Sequence, residues 1–259
     1  MIEIKRNQVH QVLEYIFLAF GIPALCVVLC QINDNQVFNF ILYGIEGASP
    51  ALATIIIVFW HKKKRGLSLF LYDKYLSNLS LRKCLLAFFI PFVILTFAKM
   101  VAILMKDIYV YPALLSTRKI VIILWALVAE ELGWRGYLQD RLEEILPHKY
   151  IPLFTGVIWA LWHYHFLLSG SMDVPIVAFL LGCVFESYGY FTITKLAKNN
   201  IVPASIWHFT GNMMFNLYRF DPQWHNGNQL YYWIATVFYA ANILLFILYE
   251  KGYIHCSEG

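Results

Sequence analysis

Charge is scarce in this chain. Only 14% of its 259 residues are charged, against 60% hydrophobic and 17% aromatic. Mean hydropathy is +0.59. A soluble domain carries about 25% charged residues, so this composition excludes an ordinary soluble domain and points to an integral membrane protein. No nucleic-acid partner is expected. Paired cysteines are lacking as well. The five cysteines (Cys26, Cys30, Cys84, Cys183 and Cys256) are odd in number and lie mostly in apolar runs, which argues against a disulfide framework. Cys26 and Cys30 fall on one helix face and read as packing residues; the leucine before each disfavours a lipoprotein site. A cleavable signal peptide is also missing from the reading, since the first apolar run is span-length and no small-x-small site follows it. Repeats, low-complexity segments and linkers are not seen, so residues 1–259 read as one domain.

Long apolar runs are what the chain has instead. A membrane span needs about 20 mostly apolar residues. Eight runs qualify as candidates: 11–31, 38–60, 84–105, 119–138, 150–169, 174–197, 201–218 and 230–249. The expected fold class is therefore all-α, a polytopic membrane helical bundle with about eight transmembrane helices. Ser49-Pro50 predicts a kink or a re-entrant stretch in the second run, and the seventh is short. Lys5, Arg6, Lys62, Lys63, Lys64, Arg65, Lys74, Arg82, Lys83, Arg141, Lys149, Lys195, Lys198 and Lys251 fall on one side of that arrangement. Only Lys106, Arg118, Lys119 and Arg219 fall on the other. By the positive-inside rule both termini are expected in the cytoplasm. Segment 139–149 places Leu142, Ile145 and Leu146 on one helical face and reads as lying along the inner membrane surface.

The charges that do enter apolar runs carry the chemistry. Glu130, Glu131 and Arg135 sit inside WALVAEELGWRGYL. Each charge at mid-bilayer costs at least about 2.5–3.5 kcal/mol, and such residues are functional by default. Glu131 and Arg135 are spaced i,i+4 and can pair on one helix face. Glu130 lies about 100° round the helix from Glu131 and is left without an obvious partner there, as a general base or acid requires. A purely structural buried ion pair with a spare acid is the alternative. His163, His208 and Asn212 lie in two later runs. Counted from the inner ends of their spans, all these groups fall roughly 10–18 Å from the cytoplasmic face at 1.5 Å per residue. His208 and Asn212 share a face. His165 lies about 200° from His163 and reads as structural.

These residues resemble the CAAX-protease and bacteriocin-processing family of intramembrane proteases, also called the Abi family. Its motifs are E-E-x-x-x-R, F-x-x-x-H and H-x-x-x-N/D on three spans. Here they match Glu130-Glu131-x-x-x-Arg135, Trp159-x-x-x-His163 and His208-x-x-x-Asn212, with tryptophan where the family usually has phenylalanine. The similarity covers residues 115–218. It implies an intramembrane endopeptidase cutting peptide bonds near the cytoplasmic face, with a membrane-associated peptide or protein as substrate. It also suggests a bacterial cell membrane as the setting. Eukaryotic members act on prenylated proteins; many bacterial members serve bacteriocin maturation, bacteriocin immunity or surface-protein handling.

Two mechanisms stay open on this reading. In one, favoured here, Glu130 with His163 activates water while His208 with Asn212 stabilises the oxyanion, and no cofactor is needed. In the other, Glu130, His163 and His208 bind zinc; a separate base is then required, and Glu131 is committed to Arg135. A non-catalytic immunity or peptide-binding protein on the same scaffold is the competing function. A proton-coupled transporter lacks support in repeated halves or paired broken helices. Glu14, Glu46 and Lys99 read as packing or helix-pairing residues. Glu186, outside the family pattern, is the best candidate for an extra contact to substrate or site.

Overall fold

The computed structural model describes residues 2–254, with side chains described from Asn7 onward. Cys256 and the side chains of Lys5 and Arg6 lie outside the described residues. The fold is all-helical. Its helices are α1 (Ile2–Gln31), α2 (Gln36–Gly47), α3 (Ser49–Tyr75), α4 (Leu81–Leu104), α5 (Thr117–Ala129), α6 (Glu131–Gly133) and α7 (Gln139–Glu143). They continue with α8 (Ile151–Trp162), α9 (Tyr164–Leu168), α10 (Ile176–Leu196), α11 (Val202–Leu217), α12 (Leu230–Tyr239) and α13 (Ala241–Glu250). A π-helical turn, Trp134–Leu138, joins α6 to α7.

Local sequence explains the ends. The Asn35 side chain accepts from the backbone N–H groups of Val37 and Phe38, at 3.0 and 3.1 Å, and starts α2. Prolines open α3, α8 and α11 within their first two positions, where the missing N–H is not needed. Ser49-Pro50 marks a sharp bend, as the sequence predicts: α2 and α3 meet at 67°.

Among the described residues, five helical segments are long and apolar enough to cross a membrane, or up to six if the bent pair α2–α3 is one span. They coincide with six of the eight candidate runs. The other two differ in shape. Run 119–138 is interrupted at Glu130 and then widened into the π turn. Run 201–218 forms the 16-residue α11. Both carry polar groups, Glu130, Glu131 and Arg135 in the first and His208 and Asn212 in the second.

Packing follows the bilayer's logic. Large apolar side chains such as Phe17, Leu13, Phe97 and Leu104 are exposed on the outside of the bundle, where acyl chains replace water. Small residues allow close helix contacts inside. A Cβ on Gly156 of α8 would stand 2.6 Å from Val184 Cα and 3.0 Å from Cys183 O of α10. Backbone cannot move aside cheaply, so Gly156→Ala should cost about 1–3 kcal/mol. The check is a lower thermal unfolding midpoint in detergent, and unchanged stability would mean that α8 and α10 can separate freely.

Several polar residues in the spans do join helices. Lys99 donates to Asp107 at 2.6 Å and to the Tyr218 carbonyl at 2.9 Å, tying α4 to the loop after it and to the end of α11. Glu14 lies 3.2 Å from His10 and 3.0 Å from His61 of α3. Segment 139–149 is broken into α7 and a 3-10 turn (His148–Tyr150), with Leu142 buried and Arg141 turned to Glu144 at 2.6 Å.

Candidate active site

Glu130 sits in the break between α5 and α6. The π turn that follows inserts an extra residue into the helix; such bulges concentrate at functional sites. It leaves Glu131 and Arg135 on one face. Arg135 Nη1 donates to Glu131 Oε1 at 3.1 Å, with both side chains buried. Arg135 Nη2 donates to Ser187 Oγ of α10 at 3.2 Å. The guanidinium lies 3.9 Å from the Tyr190 ring centroid and 5.0 Å from that of Trp159. Aromatic faces thus hold the cation where water is scarce.

Glu131 does more than pair with Arg135. Its Oε1 also lies 2.8 Å from His208 Nδ1 on α11. That bond fixes the imidazole, and the opposite nitrogen, Nε2, faces Glu130 Oε1 at 4.0 Å. Glu130 is satisfied by neutral donors: Trp159 Nε1 donates to its Oε2 at 2.9 Å and Trp134 Nε1 at 3.3 Å. The carboxylate is therefore held by two indole N–H groups and faced, without a direct bond, by one histidine.

The residues singled out by spacing are thus only partly brought together. Glu130, Glu131, Arg135 and His208 form one cluster. His163 stands beside it, separated by tryptophan: the Trp159 ring is 5.8 Å from His163 and 5.5 Å from His208, centroid to centroid. His163 Nδ1 lies 2.8 Å from the Trp159 carbonyl, because α8 ends at His163 and frees that oxygen. Glu130 faces His208 at 4.0 Å, with His163 on the far side of the Trp159 contact. Asn212 lies one turn beyond His208 on α11 and is half-buried; its carbonyl accepts from Asn216 at 2.8 Å. Among the described residues no group of three or more His, Cys, Asp and Glu side chains is placed to hold a metal ion.

Glu186 of α10 is close to this cluster. Its Oε1 is buried without a hydrogen-bond partner, and a Cβ on Gly211 would stand 3.2 Å from it. His208, Arg135 and Glu131 are its charged neighbours. His165 lies elsewhere, fully buried, with Nδ1 3.5 Å from Glu46 Oε1.

Sequence reasoning missed Trp134, Ser187 and Tyr190. Trp134 had a readable signal, being i+4 from Glu130. Trp159 was seen only as an aromatic substitute. Its indole N–H is a donor that phenylalanine lacks. Trp159→Phe, the residue usual in the family, should lower turnover about tenfold or more, since a hydrogen bond to a charged group contributes about 1.5–3 kcal/mol. Unchanged turnover with normal folding would show that Trp134 alone suffices.

The described residues thus form an all-helical bundle, with helices apolar enough to cross a membrane and a cluster of Glu130, Glu131, Arg135 and His208 inside it. Residues 112–214 match the family model described as type II CAAX prenyl endopeptidase, Rce1-like. The segment is thus similar to the CAAX-protease family, a likeness that supports an intramembrane endopeptidase in general. No curated protein matches the chain.

Proposed function

We propose that the protein is an intramembrane endopeptidase in which Glu130 is the general base. The observation that carries this reading is Glu130 itself, a carboxylate held by two indole donors and faced by His208 Nε2 across 4.0 Å without a direct bond. Glu130 takes a proton from a water, and the hydroxide adds to the peptide carbonyl carbon. His208 and Asn212 stabilise the oxyanion, and His163 helps orient the water. As the C–N bond breaks, the electron pair stays on nitrogen, which receives the proton carried by Glu130. Glu131 and Arg135 support the site: Glu131 orients His208, and Arg135 neutralises Glu131. The substrate is a membrane-associated peptide or protein, cut near the cytoplasmic face, with both termini of the enzyme on that side.

On this reading cleavage needs no tightly bound metal: Glu130 acts as the base, while Glu131 is tied to Arg135 and His208. The test is reconstitution in proteoliposomes with transmembrane reporter peptides. We expect cleavage by the wild type that survives chelation. Stoichiometric zinc, with activity lost on chelation and restored by zinc, would refute the metal-free mechanism. Absence of cleavage for every peptide, with peptide still bound, would favour a binding protein.

A further inference from the structure

A cavity of about 710 Å³ opens where the α1–α2 and α9–α10 connections meet. None of Glu130, Glu131, His163 and His208 lines it. Its walls include Val27, Phe40, Tyr43 and Leu168, with Arg118 and Glu46 as the charged residues. Glu46 is carried on α2 and is only 3% exposed. Its Oε1 makes no hydrogen bond, and neither ring nitrogen of the neighbouring His165 makes one. A carboxylate at this depth is costly unless a cation meets it. Arg118, by contrast, is exposed, so an anion can reach it from the membrane surface.

We propose that this cavity binds the headgroup of an aminophospholipid. The primary ammonium donates to Glu46, the phosphate meets Arg118, and the acyl chains leave along Phe40 and Leu168. Three features select this class. The acid is buried and the base exposed, which matches a ligand with its ammonium at the tip and its phosphate behind. The apolar walls match the start of the chains. A trimethylammonium group has no N–H to donate, so phosphatidylcholine fits less well.

The test is the thermal unfolding midpoint of the purified full-length chain in detergent, titrated with dihexanoyl-phosphatidylethanolamine or dihexanoyl-phosphatidylcholine. The ethanolamine lipid is expected to half-saturate at a concentration about tenfold lower, the effect of one charge-assisted hydrogen bond. Glu46→Gln should erase that preference, and Arg118→Gln should weaken both lipids. O-phosphoethanolamine alone should shift the midpoint little; an equal shift would assign the site to a soluble phosphoamine and overturn the lipid assignment. Equal response to the two lipids, or a preference that survives Glu46→Gln, overturns the proposal. So does a stronger response to a short peptide with a free N-terminal ammonium. If Glu46→Gln does not fold, Arg118→Gln and the lipids retained through purification decide. Ethanolamine lipid enriched over the source membrane, and lost in Arg118→Gln, supports the site; lipid in membrane proportions refutes it.

Discussion

Glu130→Gln is expected to lower peptide cleavage by a factor of about 10²–10⁴, the usual contribution of a positioned general base. Folding should be nearly untouched. Glutamine keeps an acceptor oxygen for the N–H groups of Trp159 and Trp134, now 2.9 and 3.3 Å from Glu130 Oε2. The amide cannot take the proton from water. Single-turnover cleavage in proteoliposomes, with the thermal midpoint measured alongside, separates the two effects. Retained cleavage would remove Glu130 from the reaction. A collapse in stability of several kcal/mol would show that the carboxylate serves chiefly as a structural acceptor.

Arg135→Gln should behave in the opposite way, with stability lost first. Breaking a buried pair by removing one partner costs about 3–5 kcal/mol, because the other charge is left uncompensated. Here Glu131 would keep only His208, while Ser187, Tyr190 and Trp159 would lose the guanidinium they surround. Glu131→Gln should also destabilise, though less, since glutamine can still accept from Arg135. Its added effect is on His208, which loses the carboxylate beside Nδ1. Folded yield by size exclusion and the thermal midpoint report the first effect; the turnover of the folded fraction reports the second. If Arg135→Gln folded normally and lost only turnover, the guanidinium would be acting on the substrate rather than bracing the helix.

Regular spacing made part of this site legible. The i,i+4 separation placed Arg135 on Glu131, and composition and run length brought out an all-helical membrane fold. What spacing cannot carry is the lateral arrangement of helices. Depth set His163 level with Glu130, but it could not give the turn of the His163 imidazole to the Trp159 carbonyl or the approach of His208 Nε2 to Glu130 from α11. Hydropathy also treats every apolar run as a span. Run 119–138 exposes Ile120, Val121, Leu124, Trp125 and Val128 in its first half and buries residues 131–138 in its second, and its interruption at Glu130 followed by a π turn leaves no trace in mean hydropathy. The second role of Glu131, bonding to His208, needed the tertiary structure.

Trp162 gives the molecule a property that no single site shows. Its ring is fully buried, and its indole nitrogen is anchored to Ala19 O at 3.1 Å and Ser49 Oγ at 2.9 Å. The ring touches His163 on one side and His165 on the other, at 4.9 and 4.7 Å between centroids. It therefore joins the histidine beside the Glu130 cluster to the histidine beside Glu46 through one rigid, anchored ring.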